Sequence, residues 1–244
     1  EPGFYSWSTK YLLADSTYKN DYPTIAIFNS MLLKEYFENN HYHFAHSFAF
    51  DPVLNDGLRN ALEKIPEQVR KKKQILVYGR PGTERNAFNL VVAALKKWVF
   101  MQPDIEEWEI LSAGEMHRTV ALGNGKELTS VGKLSIEEYA NMLEESYAGI
   151  SLMCSPHPSY PPLEMSVFDV KTITNTYANK DLKDFNENII SLDNISPMNI
   201  AKHLVEICKS YQTEVRHIAA NPLYVKNDHV FDFVEDIKKI LDEE

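Results

Sequence analysis

The chain has 244 residues, 44% hydrophobic and 25% charged, enough for one large globular domain or one domain with part of another, and it lacks any apolar run of about 18 residues. Its 35 acidic residues against 25 Lys and Arg give a net charge of −10, which argues against a general nucleic-acid binder. The two cysteines, Cys154 and Cys208, are too few for a disulfide framework and read as buried thiols of a reducing compartment. Acidity of this size is ordinary for a cytosolic protein and selects no partner. The aromatic-rich opening "EPGFYSWSTKYLLADSTY" reads as the interior of a longer polypeptide, so the chain is treated as a fragment.

In chain order, "TIAIFN" (24–29) predicts a strand and "SMLLKEYFEN" (30–39) a helix capped by Ser30. "HFAHSFAF" (43–50) is strand-like, and 51–73 is a polar connection with room for a short helix. "QILVYG" (74–79) predicts a strand, 84–100 a helix with Phe88, Val91, Val92 and Leu95 on its apolar face, and 107–114 and 126–132 two strands. "SIEEYANMLEESY" (135–147) predicts a helix opened by a capping box, Ser135 with Glu138. Strands follow at 149–154, 170–175 and 188–192, with helices at 162–169, at 196–212 behind Ser196 and Pro197, and at 228–244. Short strands alternating with helices imply right-handed crossovers and a doubly wound, parallel Rossmann-like α/β sheet, placed at 74–212. Residues 1–73 then form an N-terminal extension, and 213–244 a C-terminal segment with one helix.

Such sheets bind ligands beyond the carboxyl ends of their strands, near the reversal in strand order. Two loops predicted at that rim carry candidate chemistry. "YGRPGTERNAF" places Arg80 and Arg85 around a Pro-Gly turn, beside the expected start of helix 84–100. Guanidiniums there, with free amides and a helix dipole, suit a phosphate or diphosphate. The structural alternative is an arginine paired with Glu84 or Glu115. "SPHPSYPPLEM" (155–165) is a stiff bend in which His157 and Tyr160 project and Glu164 falls in the first turn of a helix. That carboxylate is either a dipole partner or an acceptor for two ribose hydroxyls. Lys133, between strand 126–132 and the capped helix, is a third candidate for base or phosphate. A positive loop and a carboxylate loop on one rim are what a nucleoside diphosphate requires. Neither G-x-G-x-x-G nor a Walker motif is present, which removes the main support for ordinary NAD or ATP binding.

These residues resemble the retaining glycosyltransferases of the GT-B fold, which have two facing Rossmann domains, and the likeness is to the C-terminal, nucleotide-sugar-binding half. In the family's common pattern a strand ending in G-R-L precedes K-G at a helix start; here Arg80 stands for the arginine and Arg85 for the lysine. The E-x7-E motif aligns with "PHPSYPPLE", which supplies the second acid as Glu164 and has Pro156 in place of the first. The stretches "EPGFYSWSTKYLLADSTY", "YGRPGTERNAF", "SPHPSYPPLEM" and "NKDL" are similar to a narrower group, bacterial rhamnosyltransferases of surface polysaccharides and S-layer glycans.

The resemblance implies a dTDP-β-L-rhamnose donor and no metal cofactor. It implies nucleotide contacts from Arg80, Lys133, Tyr160 and Glu164, catalytic charge stabilisation by Arg80 and Arg85, and His157 or Tyr160 replacing the lost acid on the sugar side. It also implies that residues 1–50 are the linker and last strand and helix of an acceptor domain, that 228–244 crosses back to it, and that the glycan acceptor binds the missing part. The expected setting is the cytoplasm, at the inner face of the plasma membrane. A fragment of this kind should bind nucleotide and transfer sugar poorly. A non-catalytic nucleotide-sugar scaffold and a nucleotide-sugar epimerase remain open alternatives.

Overall fold

The computed structural model describes residues 10–19, 21–218 and 221–243, and the chain divides into two compact units, 1–54 with 221–244, and 55–220. Residues 1–9 of the aromatic-rich opening lie outside the described residues.

The first unit begins with α1 (Lys10–Tyr18), β1 (Ile25–Phe28), α2 (Met31–Asn39) and β2 (His46–Ala49). β1 and β2 pair in parallel, with Ile25 opposite His46. Ser30 caps α2 as its sequence predicts, its Oγ accepting the Leu33 N–H at 3.0 Å. Phe37 packs against Tyr18, Phe28, Tyr42 and Phe44, which gives this small unit an aromatic centre.

The second unit runs through α3 (Asp56–Leu62), β3 (Gln68–Arg70), β4 (Lys72–Gly79), α4 (Phe88–Trp98), β5 (Glu109–Gly114), β6 (Val120–Gly123), β7 (Lys126–Gly132), α5 (Ile136–Glu145), β8 (Ser146–Ile150), α6 (Pro161–Val167), β9 (Lys171–Asn175), β10 (Ile189–Leu192), α7 (Pro197–Lys209) and β11 (Glu214–Arg216). Its sheet has seven strands in the order β10-β9-β8-β4-β5-β7-β6, parallel throughout except for β6 against β7. The predicted doubly wound α/β sheet is therefore present. Strands β5 and β7 lie to one side of β4, and β8, β9 and β10 to the other. The reversal in strand order falls between β4 and β8.

The central strands are buried on both faces, which explains their unbroken apolar runs. Ile75, Val77, Ala148 and Ile150 belong to a core shared with Val91, Leu95 and Trp98 of α4 and Ile200 and Leu204 of α7. On the other face Gly149 leaves room for α6: a Cβ there would stand 2.8 Å from Met165 Sδ. Each fully buried aliphatic side chain contributes about 1.5–3 kcal/mol, so this two-sided burial dominates the stability of the unit. Lys71 is also buried, and its Nζ donates to the carbonyls of Leu143 (3.1 Å) and Phe168 (2.6 Å) near the ends of α5 and α6. Burial pulls that ammonium down to about 8.

Several expectations are corrected. The helix expected over 84–100 opens as a 3-10 turn at Glu84–Asn86, then Ala87 takes a left-handed conformation (φ 50°), and α4 starts at Phe88. The strand expected at 149–154 is Ser146–Ile150 instead. Ser146 Oγ caps the Met142 carbonyl at 2.7 Å and accepts from Gln74 Nε2 at 2.8 Å, so the chain leaves the helix early. Cys154 consequently lies in the loop beyond the strand and is half-buried rather than buried, whereas Cys208 on α7 is buried as expected. β3, β6 and β11 were not expected. β6 turns back on β7 through the Gly123-Asn124-Gly125 hairpin, where all three residues have positive φ. The unit spans 55–220 rather than 74–212, because α3 packs on α5, with the Gly57 Cβ position 2.6 Å from Ile136, and β3 pairs with β11.

After β11 the chain returns to the first unit with α8 (Pro222–Val225) and α9 (Val234–Glu243). The helix expected at 228–244 starts later because Asn227 and Asp232 hold His229 in a turn. Phe233 stacks on Phe48 and Phe231 packs on Phe50, with ring centroids 5.4 and 5.2 Å apart. Among the described residues no helix is long and apolar enough to cross a membrane.

Candidate functional site

β4 ends at Gly79 and the chain enters the arginine turn. Gly79 must be glycine: a Cβ would stand 1.9 Å from Ser112 Oγ and 3.1 Å from the Phe88 ring. Gly79→Ala is expected to lower stability by about 2 kcal/mol, measured by denaturant unfolding. Wild-type stability in that variant would show that β4 and β5 can spread at their ends.

Arg80 is half-buried, its Cγ 3.2 Å from the Cβ position of Gly114 (φ 128°), so its stem lies over a residue with no side chain. Among the described residues no carboxylate forms an ion pair with Arg80, so neither Glu84 nor Glu115 neutralises it. Glu115 turns instead to the main chain, where its Oε2 accepts the Gly82 N–H at 3.1 Å. The expected picture of arginines flanking a helix N-terminus with free amides is thus corrected. Both precede α4 in a turn, and the Gly82 amide already has an acceptor.

The second loop is fastened at its stem. The Asn175 side chain grips Met153 as a strand would, its Oδ1 accepting the Met153 N–H at 2.7 Å and its Nδ2 donating to the Met153 carbonyl at 3.2 Å. Lys180, fully buried, donates to the same carbonyl at 2.6 Å, and burial pulls its ammonium down to about 8. The two loops then meet directly: the Cys154 N–H donates to Arg85 O at 2.7 Å, and Asn86 Nδ2 to Leu152 O at 3.3 Å.

Beyond this junction the chain folds into the proline-rich bend. His157 does not project from it: the residue is 6% exposed, and its Nδ1 accepts the Ser159 N–H at 2.9 Å. Ser159 takes a positive φ of 69° to make that contact. His157 therefore shapes the bend, and its ring supports Tyr160 at 5.8 Å. Tyr160 is 39% exposed and precedes the two prolines that open α6. Glu164 lies in that first turn, half-buried. Burial pushes its carboxyl up to about 7, against the pull of the Tyr139 hydroxyl, and both burial and Glu164 push the Tyr160 hydroxyl up.

Lys133 is exposed, one residue past Gly132 at the end of β7, on the same rim but two strands from β4. The loops after β5 and β7 are joined through Ser130, whose Oγ donates to Glu115 O and accepts from the His117 and Gly132 amides. His117 escaped the sequence reading. Its Nδ1 lies 2.8 Å from Arg118 O and its Nε2 2.8 Å from Ser112 Oγ. A carbonyl only accepts, so in the neutral ring the proton sits on Nδ1 and Ser112 donates to Nε2. Phe88 packs on the ring at 4.9 Å. Nothing in the spacing of "AGEMH" announces this role, since the ring is held by residues from β5 and α4. Among the described residues no group of three or more His, Cys, Asp or Glu could hold a metal ion.

Arg80 and Arg85 thus stand on the loop leaving β4, and Tyr160 and Glu164 on the bend and helix start that follow β8, the neighbouring parallel strand at the reversal point. This is the architecture of the Rossmann-like domains of GT-B glycosyltransferases. HepE of Anabaena, solved in complex with UDP and glucose, superposes with a TM-score of 0.65 at 11% identity, over 100% of this chain and 69% of that one. Sucrose-phosphate synthase of Thermosynechococcus elongatus gives 0.57 at 11% identity, over 97% and 63% of the two chains. At such identity the likeness is one of fold. The sequence goes further: residues 73–205 match the WsaF C-terminal domain and residues 1–31 the WsaF N-terminal domain, so the chain belongs to the WsaF family. It is also 33% identical over 176 residues to the O-antigen biosynthesis protein RfbC of Myxococcus xanthus, 72% of this chain but 13% of that protein.

Proposed function

We propose that this chain is the donor-binding part of a retaining glycosyltransferase that moves a sugar, L-rhamnose from dTDP-β-L-rhamnose, onto a surface polysaccharide. One observation carries the reading. The loop bearing Arg80 and Arg85 and the loop bearing Tyr160 and Glu164 leave adjacent strands at the strand-order reversal, locked together by the Cys154 N–H bond to Arg85 O. That arrangement offers positive charge to a diphosphate and a carboxylate to the ribose hydroxyls, with Lys133 further along the rim for the base. The WsaF family match and the O-antigen biosynthesis relative support glycan synthesis as the setting.

As the C1–oxygen bond of the donor breaks, negative charge gathers on the departing diphosphate while the sugar becomes oxocarbenium-like. Guanidiniums already in place lower that barrier, a single well-aimed donor being worth on the order of 3 kcal/mol in comparable sites. They supply this charge without a metal, and the reaction we propose is metal-independent. The acceptor hydroxyl and any further base come from outside this chain. His157 is assigned to shaping the bend, Tyr160 to the donor.

Pro156, buried where the family's first acid stands, favours one second reading, a nucleotide-sugar-binding scaffold without transfer activity. Calorimetric titration of the chain with dTDP, UDP, GDP and dTDP-rhamnose tests the donor assignment. The thymidine nucleotides are expected to bind tightest. Preference for uridine or guanosine ends the rhamnose assignment, and silence from all four ends the donor-domain reading.

A further inference from the structure

A site for a dianion has little use for a carboxylate, yet Glu115 sits inside this one. Its Oε2 is 3.1 Å from the Gly82 amide, two residues from Arg80, and a Cβ on Gly82 would stand 2.8 and 3.1 Å from its two carboxylate oxygens. The charge is not needed to hold the loop. The Glu115 backbone is fixed on both sides, N–H to Gly79 O at 3.0 Å and carbonyl to Ser130 Oγ at 3.2 Å, and the turn is closed separately by Thr83 N–H to Arg80 O at 2.9 Å. Glu115 forms no ion pair with Arg80. What the side chain adds is a fixed negative charge against the main chain of the arginine turn.

We infer that Glu115 sets the charge selectivity of the site, disfavouring the free nucleoside diphosphate product more than the nucleotide-sugar donor, and so promotes product release. The inference rests on the donor-binding reading given above. In the donor both phosphates are esterified. In the product the terminal phosphate ionises a second time with a pKa of about 6, so at pH 8 it carries roughly one more negative charge. Like charges a few ångströms apart at a protein surface repel strongly, and the extra charge of the product bears the larger share. The balance across the reaction is simple. The donor C1–oxygen bond breaks with its electron pair kept by the diphosphate, and a new C1–oxygen bond forms to the acceptor hydroxyl. That hydroxyl's proton passes by way of the departing phosphate to solvent, so at pH 8 the charge that remains on the diphosphate faces Glu115. No proton or bond changes at Glu115 itself.

Glu115→Gln keeps an oxygen to accept the Gly82 N–H and removes only the charge. Titrations at pH 8 and low salt would compare dTDP with dTDP-rhamnose, and UDP with UDP-glucose to remove dependence on the base. The variant is expected to bind the free diphosphate roughly tenfold more tightly and the sugar-bearing form only about threefold, with the difference shrinking in high salt as charge effects do. Equal tightening of both forms, no change, or weaker diphosphate binding overturns the inference while leaving the donor reading intact. Failure of the wild-type chain to bind any of the four overturns both. Glu115→Ala, which also loses the bond to Gly82, is expected to share the discrimination change with a small fall in melting temperature. Wild-type discrimination in that variant would count against the charge as the cause.

Discussion

Glu164→Gln is expected to make the ligand-free chain more stable at pH 8 while removing most of the nucleotide affinity proposed for it. Burial holds the Glu164 carboxyl at about 7 rather than its ordinary 4.5. Each pKa unit corresponds to about 1.4 kcal/mol, so ionising this group inside the fold costs roughly 3 kcal/mol as an upper figure. The sign follows from proton linkage. Between pH 4.5 and 7 the folded state binds more protons than the unfolded one, so stability falls as pH rises through that window and the cost is complete above it. Glutamine carries no such cost. Denaturant unfolding at pH 4.5 and pH 8 checks this, with a gain of about 1–3 kcal/mol expected at pH 8 and little at pH 4.5. The same variant should bind nucleotide at least about tenfold more weakly, since hydrogen bonds to a charged acceptor are worth about 1.5–3 kcal/mol. A variant no more stable than wild type at pH 8 would mean that the carboxylate is better solvated than its surroundings indicate.

Arg80→Ala is expected to leave the fold unchanged and to remove most of the proposed transfer activity. Among the described residues no carboxylate pairs with this guanidinium, so its removal orphans no buried charge there, and stability should stay within about 0.5 kcal/mol of wild type. Under the proposed function, transfer should fall by about 100- to 1000-fold, the usual loss when one preorganised donor is removed from a developing negative charge. Arg80→Lys should recover only part, because an ammonium cannot reproduce the two-pronged contact. Rate measurements beside unfolding curves separate the effects. A variant that retains full transfer, or one that binds its protein partners unchanged in a system shown to lack transfer, would favour the scaffold reading.

Much of the fold was legible because the central strands are apolar on both faces and the helices begin with strong caps. Ser30, Ser135 with Glu138, and Ser196 with Pro197 each open a helix where the sequence places one. Several of the failures share a cause, which is tertiary hydrogen bonding. Ala87 is an excellent helix former, yet it is left-handed because the turn before it is tied to Leu152 and Cys154 across the sheet rim. Residues 151–154 look like the rest of a strand, but Asn175 and Lys180 take over Met153 with side chains. The three-residue strands β3 and β11 pair over a distance that no local pattern carries. At the site, Arg80, Arg85 and Glu164 were visible as residue types at a predicted rim. The orientation of Glu115, the interior position of His157 and the ring of His117 depended on neighbours distant in sequence.

The bond from Cys154 N–H to Arg85 O has a practical consequence for engineering. It makes the arginine turn and the proline-rich bend one mechanical part. Grafting either loop alone from a homologue with another donor preference would seat it against a mismatched companion. Chimeras within this family should exchange both segments together, along with Asn175 and Lys180 that brace them.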